Sequence, residues 1–436
     1  LKELNMGARI FSANYQQACY WKESIEWPPG AEGHSIPSAA DVVVIGAGYT
    51  GLSAARRLAG AGFQVVVLDA QEIGGGASSR NGGIVHPTLG VSPQGLIERH
   101  GQERAKGLYA LVLEGFNFLK GVIESEDIDC DFNPSGAFEA AVKPRDLEHM
   151  AARQVVLQRA FGHETSLVYP DDRAEYIGSD AYLGGWHDPV GATLHPARLT
   201  QGLAAAAIRA GATLFPFTPA LAIERSGREH MLMTTAGEIR TPKVILATNG
   251  YTGDLIPELR RRVIPVRTTA VATERIPAGL LDALFPGRFC YWDRFRLFHY
   301  YQVTADDRLV FGGVGSMLRP SIQRDAESLQ ARMVRIFPQL RDVKLEYAWD
   351  GLVALSFDRM PHLGELNGIY YSLCYNGDGV LLGCYLGDQL GAWVAGQEGG
   401  TPLRELPFPS AFFYRRRTWF APLARGFYGL LDGLGL

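Results

Sequence analysis

The chain has 436 residues, 47% of them hydrophobic and 20% charged, with a formal net charge of −4. That composition excludes a single small module and a largely disordered chain, and the mild acidity provides no global attraction to nucleic acid. Five scattered cysteines (Cys19, Cys130, Cys290, Cys374, Cys384) without a CxxC pair argue against a disulfide framework and a zinc site, and fit a reducing cytoplasm. No run approaches the roughly 18 apolar residues that span a bilayer, and the first residues lack the basic-then-apolar layout of a secretion signal. The 51 glycines exceed the usual share of about 7% and cluster at 46–51, 74–83, 312–315 and 377–387. Such clusters at strand-to-helix corners suit a phosphate-bearing cofactor, because glycine lets the backbone approach closely.

In chain order, residues 1–37 carry aromatics without a clear period and are expected to form an arm laid over a domain. Val42 to Ile45 is a run of four apolar residues, expected as a strand buried on both faces. GAGYTG makes the turn, Leu52 to Ala61 has helical spacing, and Val65 to Leu68 is a second buried strand ending at Asp69. Residues 96–192 read as a separate unit, with helices over Leu96 to Ile123 and Pro144 to Phe161. Pro196 opens a helix that Gly211 closes. Short strands then form a meander, and Val244 to Ala247 is another buried strand. Residues 256–345 alternate like an antiparallel sheet, with an amphipathic helix over Ser328 to Phe337. Tyr370 to Cys374 is a late strand, Val380 to Ala395 a helix, and 401–436 a tail whose aromatics alternate with arginines.

Gly46, Gly48 and Gly51 lie between a buried strand and a helix, and an acid, Asp69, ends the next strand. The glycines bring a helix N-terminus up to a pyrophosphate, and the acid accepts hydrogen bonds from ribose hydroxyls. The interruption after the second strand and the later meander favour FAD over NAD. The expected fold class is α/β: a Rossmann-like FAD domain of the glutathione-reductase type, built from 38–95, 193–255 and 346–400. It interleaves with an α+β substrate domain on an antiparallel sheet, from 96–192 and 256–345.

Four separated segments (GAGYTGLSAA through GASSRNGG, ATNGYTGDLIPELRRRVIPVRTTAVATE, HYYQVTADDRLVFGG and DRMPHLGELNGIYYSLCYNGDGVLLG) together resemble the FAD-dependent oxidoreductases of the D-amino-acid-oxidase-like superfamily, closest to the gamma-glutamylputrescine-oxidase-like branch. The resemblance implies that Tyr49, Thr50 and Ala70 join the glycine corner in holding FAD. It also implies that Ser78, Ser79, Arg80 and Asn81 wrap the pyrophosphate, and that Gly82, Gly83 and Ile84 pass along the flavin ring. Ala220 would hold the adenine, and Thr248 and Gly250 would close over the phosphates. Tyr375, Asn376, Gly377, Gly379, Val380 and Leu381 would lie by the ring, where a helix N-terminus stabilises reduced flavin.

The Tyr-Tyr-Arg step of relatives reads Tyr300-Tyr301-Gln302, and a basic residue after the Gly-His-Gly stretch is replaced by Val380, so a simple α-amino acid is a poor substrate match. Residues 351–358 lack the cysteine that attaches flavin in sarcosine-oxidase-like members, so FAD is expected to be non-covalent. Candidate substrate contacts are His86, Tyr300, Tyr301, Trp349 and Tyr375, with one of the adjacent tyrosines facing the cavity; no side chain is assigned as base and no metal is expected. The expected reaction is oxidation of a C–N bond in a gamma-glutamylated or other N-substituted small-molecule amine, with hydride passing to flavin N5 and O2 as acceptor. The alternatives are a dehydrogenase feeding a quinone or other acceptor, and a flavin-binding protein without turnover. A membrane-surface helix in the tail is the sharper reading, and packing on its own domain the favoured one.

Overall fold

The computed structural model describes residues 10–414, apart from 24, 31–34, 296–297, 317–319, 398–399 and 412–413. The basic-aromatic tail beyond 414, with Arg415 to Arg417, lies outside the described residues.

A six-stranded sheet runs in the order His362–Leu366, Ile369–Leu373, Lys243–Leu246, Val42–Ile45, Val65–Leu68, Thr213–Phe215. All neighbours are parallel except the antiparallel pair His362–Leu366 with Ile369–Leu373. Both faces of the central strands are covered, which is why these strands are apolar at every position. Val42, Val44, Val65 and Val67 pack with helices Tyr49–Gly60, Pro196–Arg209 and Gly379–Val394. Val43, Ile45, Val66 and Leu68 pack with Leu232 and Ile239 of a three-stranded meander, Ala220–Ser226, Glu229–Thr234 and Gly237–Thr241.

A nine-stranded sheet has the order Phe11–Gln16, Leu345–Leu355, Ile264–Thr273, Leu309–Val314, His299–Val303, Cys290–Asp293, Ala137–Ala141, Gly184–Asp188, Ser166–Val168. One face is sealed by helix Ile322–Ile336 over a core containing Tyr291, Tyr301, Phe311 and Phe337. The other face turns towards the 80–86 loop beyond Val65–Leu68, where Tyr300 meets Gly82 and Trp349 meets Arg80.

Several boundaries differ from the sequence reading. The helix expected over Leu96 to Ile123 is two, Pro93–His100 and Gln102–Ser125, broken where Gly101 adopts φ +75°. The helix from Pro144 ends at Val156 and passes into a π turn, Leu157–Phe161. The helix expected from Ser328 starts at Ile322, where the Ser321 hydroxyl caps it by accepting from Arg324 N at 3.3 Å. The arm contains a strand, Phe11–Gln16, parallel to Leu345–Leu355, and its Trp21 is buried. Leu345–Leu355, placed with the cofactor half on the sequence, pairs with Ile264–Thr273 and belongs to the nine-stranded sheet. Among the described residues no helix is long and apolar enough to cross a membrane.

Candidate cofactor site and substrate cleft

At the end of Val42–Ile45 the chain turns at Gly46, whose φ of +109° lies in the region that favours glycine, and a Cβ there would stand 2.7 Å from the Ala247 carbonyl oxygen. Gly48 is extended at the start of helix Tyr49–Gly60, and its added Cβ would meet Ser78 Oγ at 2.7 Å. Gly51 lies one step further, where a Cβ would collide with the Gly46 carbonyl. The N-cap Gly48 has no side chain to cap this helix, so, apart from Tyr49 N, its first turn and positive dipole end are left for an anion. Tyr49 N already donates to Ser78 Oγ at 3.0 Å. Asp69 accepts from Ala47 N at 2.7 Å and Gln71 N at 2.9 Å. Burial raises its pKa, with those two N–H groups opposing.

These groups border a cavity of about 850 Å³. Gly46, Gly48, Tyr49, Thr50, Asp69, Ala70, Ser78, Asn81, Ala220, Thr248, Tyr375, Asn376, Gly377, Gly379 and Val380 line it. Gly51, Ser79, Arg80, Gly82, Gly83, Ile84, Gly250 and Leu381 do not. Ser79 is buried with its hydroxyl donating to Gly74 O at 2.5 Å, and Arg80 Nε donates to Gly75 O at 2.9 Å, so both hold the loop's shape. Ile84 pairs with Thr193 in a two-stranded sheet, Gly250 packs on Leu352, and Leu381 is buried in its helix.

The lining also includes residues the sequence reading did not single out: Gln71, Asn249, Tyr251 and Leu352 to Ala354. Tyr251 lies over Gly76 and its hydroxyl accepts from Leu352 N at 3.3 Å. It stands in the same ATNGYTG run as Thr248 and Gly250, so its position was available as a signal; Leu352 to Ala354 arrive from the other sheet and left none. Backbone strain gathers here. Asn249, Cys374 and Asn376 have φ of +40°, +63° and +55°, and Asn249 Oδ1 accepts from Cys374 N at 2.8 Å. These strained residues follow the carboxyl ends of Lys243–Leu246 and Ile369–Leu373, where open α/β sheets bind ligands. Tyr375 is buried and its hydroxyl shares a 2.6 Å hydrogen bond with Thr50 Oγ1; burial pushes its phenol well up.

The loop beyond Ser79 meets the nine-stranded sheet. Asn81 Oδ1 accepts from Gly83 N at 2.8 Å, and its amide donates to Ser78 O at 3.0 Å. Trp349 Nε1 donates to Arg80 O at 2.8 Å. Gly83, at φ +67°, packs against Leu194 and Gln302, and a Cβ on Gly82 would come within 2.6 Å of the Tyr300 ring. Tyr301 points to the opposite face, fully buried and stacked between Tyr291 and Phe311 with ring centroids 5.4 Å apart in each case. Gln302 Nε2 donates to Gly82 O at 2.5 Å and to Leu194 O at 3.2 Å. His86 Nε2 lies 3.1 Å from one oxygen of Asp188, whose other oxygen lies 2.9 Å from His163 Nε2. Burial opposes ionisation of Asp188, yet the His163 and His86 hydrogen bonds hold its pKa far below the usual range.

The cavity volume is within the range of cofactor sites, roughly 300–1,000 Å³. It joins an acid at the end of the second strand, an uncapped helix N-terminus and a second helix N-terminus at Gly377 and Gly379. That donor set fits a dinucleotide: Asp69 for a ribose, the Gly48 corner and Ser78 for the pyrophosphate, and the 375–380 turn for the ring.

Comparison with known proteins agrees. A family model described as FAD dependent oxidoreductase (DAO) matches residues 41–393. The chain is 33% identical over 403 residues to gamma-glutamylputrescine oxidoreductase of Escherichia coli, covering 91% of this chain and 93% of that protein. It is 24% identical to a glycine oxidase of Bacillus licheniformis, covering 82% of this chain and 93% of the relative. Among solved structures, glycine oxidase from Geobacillus kaustophilus superposes with a TM-score of 0.74 at 20% identity, over 86% of this chain and 99% of that one. L-proline dehydrogenase from P. horikoshii gives a TM-score of 0.69 at 20% identity, over 84% and 96%. The chain therefore belongs to the DAO family of FAD-dependent oxidoreductases, and FAD is its cofactor.

Proposed function

We propose that this enzyme oxidises the C–N bond of an N-substituted amine, a gamma-glutamylated amine foremost, to an imine that water hydrolyses. The observation that carries this reading is Gln302. By the resemblance drawn from the sequence it takes the third place of a Tyr-Tyr-Arg step, and its amide is committed to Gly82 O and Leu194 O. No cation is therefore presented by this strand position to an α-carboxylate at the reacting carbon. The 33% identity to gamma-glutamylputrescine oxidoreductase supports the same substrate class.

Bound FAD supplies the two-electron acceptor for the substrate's hydride. The chain's own groups orient and shield. Tyr300 and Trp292, both partly buried, offer an apolar wall on the side of the 80–86 loop. The N-terminus of helix Gly379–Val394 opens at the cavity and favours negative charge there. No side-chain base is needed when the amine binds neutral.

Anaerobic mixing with a gamma-glutamylated diamine is expected to bleach the flavin, and air is expected to restore it with one H2O2 formed per amine consumed. If no amine in a panel of gamma-glutamyl amines, polyamines and N-methyl amino acids bleaches it, the reading fails; bleaching with slow air reoxidation removes O2 as acceptor. No cysteine or histidine is among the described residues lining the cavity. Acid precipitation is accordingly expected to leave all the flavin in the supernatant, and a yellow pellet would contradict non-covalent binding.

A further inference from the structure

One row of the nine-stranded sheet runs past the flavin-side loop. Tyr300 is paired across strands with Trp292, Trp292 with Glu139, and Glu139 with Trp186. Side chains directly opposite across a sheet share a face. Tyr300 against Gly82, and His86 with its ring centroid 4.9 Å from that of Trp292, identify that face as the one turned to the 80–86 loop. Along the row, aromatic surface gives way to charge. The Glu139 carboxylate receives Arg153 Nη2 at 2.5 Å and Arg294 Nη1 at 3.1 Å. Arg294 lies one residue beyond strand Cys290–Asp293, its N–H donating to Ala140 O at 3.2 Å, and Arg153 lies 3.9 Å above the Trp186 ring. Arg294 Nε also reaches Asp146 at 3.2 Å, but the other Asp146 oxygen is occupied by Val142 N and Lys143 N at the start of helix Pro144–Val156.

We infer that Arg153, Arg294 and Glu139 form the subsite for the amino-acid head of the substrate, the guanidiniums taking its carboxylate and Glu139 its ammonium. The inference rests on the C–N oxidation proposed above and specifies which part of that substrate this cluster holds. Three observations carry it. Neighbouring strands lie about 4.8 Å apart, so Glu139 is roughly 10 Å along the sheet from Tyr300. An α-carboxylate on the reacting carbon cannot bridge that gap, whereas a head separated by a linker of several atoms can. Both guanidiniums are partly exposed and use only part of their donors, and Arg153 Nε is buried without a partner among the described residues. That Nε is covered, so an incoming acceptor meets the exposed edges of the two guanidiniums, whose spare N–H donors can pair with a carboxylate. The cluster also holds both signs: although burial opposes ionisation, Arg153 and Arg294 keep the Glu139 carboxyl below its ordinary pKa, so it stays charged beside them. A zwitterionic head matches that arrangement, while an anion alone would face Glu139.

The test uses holoenzyme and two probes that lack an oxidisable amine on the alkyl arm: gamma-glutamyl-n-butylamide, which has the head, and N-butylacetamide, which does not. Calorimetric titration is expected to show the head-bearing probe binding at least about 30-fold more tightly. Arg294→Gln and Arg153→Gln are expected to weaken that probe by about 10- to 100-fold, the usual scale for a charge-assisted pair, and to leave N-butylacetamide unchanged. Arg294→Lys recovers part of the loss. FAD content and melting temperature identify a variant that has not folded, in which case Arg294→Lys and Arg153→Lys carry the comparison. Equal binding of both probes by the wild type, or unchanged binding of the head-bearing probe by folded variants, overturns the subsite. A head-bearing probe that binds through Arg294 while no gamma-glutamylated amine bleaches the flavin leaves the subsite standing and removes the oxidation reading instead.

Discussion

A valine at position 48 is expected to give a folded protein that purifies without flavin. Gly48 has φ −92° and ψ −172°, an extended conformation that β-branched residues adopt readily, so the backbone is not strained by the change. The new Cβ stands 2.7 Å from Ser78 Oγ, which must swing away from Tyr49 N, and the two methyls enter the crevice at the helix N-terminus. FAD affinity is expected to fall by about 100-fold or more, close to 2.7 kcal/mol, with the melting temperature of the apo forms agreeing within about 2 °C. Equilibrium dialysis of apoprotein against FAD, alongside thermal melts, reads both quantities. Wild-type affinity in the variant would show that the pyrophosphate does not lie at this corner. Gly46→Val is a different experiment, because its positive φ and the nearby Ala247 carbonyl make the damage one of folding.

The second large effect concerns acid. His195 starts helix Pro196–Arg209, where its Nδ1 accepts from Arg198 N at 3.2 Å, and its ring stands edge-on to buried Trp21. Burial, and after it the Arg198 charge, lowers its pKa from 6.5 to about 4. Above pH 6.5 the imidazole is neutral whether the chain is folded or not. As pH falls from 6.5 towards 4 the unfolded chain takes up the proton and the folded one does not, so stability declines across that window. The loss amounts to about 3 kcal/mol at 1.36 kcal/mol per unit. His195→Asn keeps a capping acceptor and cannot titrate there. Urea midpoints at pH 7.5, 5.5 and 4.5 are expected to fall less steeply in the variant. His187, His100 and His230, also lowered by burial, act equally in both proteins and cancel in the difference. Identical slopes would remove His195 from the account.

What could be read from the sequence was local. The two valine-rich strands, the glycine corner and Asp69 lie within one short stretch, and each element carries its own signal in burial pattern or turn chemistry. The same holds for the helix opened by Pro196 and the strand before Asn249. What escaped depends on pairing between distant segments. Leu352 to Ala354 reach the cofactor cavity only because Leu345–Leu355 lies beside Ile264–Thr273. Glu139, Arg153 and Arg294 meet through a parallel pairing of Cys290–Asp293 with Ala137–Ala141 and a helix packed nearby, none of which has a periodic signature. Phe11–Gln16 is a largely exposed edge strand with an irregular register, so it lacks the alternation that marks a half-buried strand. The break at Gly101 was hidden because both flanks are good helix formers.

The order of strands in the two sheets also sets when this molecule can be assembled. Val42–Ile45 pairs with Lys243–Leu246, which pairs with Ile369–Leu373, and Phe11–Gln16 waits for Leu345–Leu355. Phe11–Gln16 therefore has no strand partner until Leu345–Leu355, more than 300 residues later, has been made. Pairings this distant in sequence slow folding and leave strand edges bare meanwhile. The cofactor cavity, lined by Tyr375 to Gly377 as well as by Gly46 and Gly48, cannot close until both ends of that span are made, so cofactor capture follows the pairing of these distant segments.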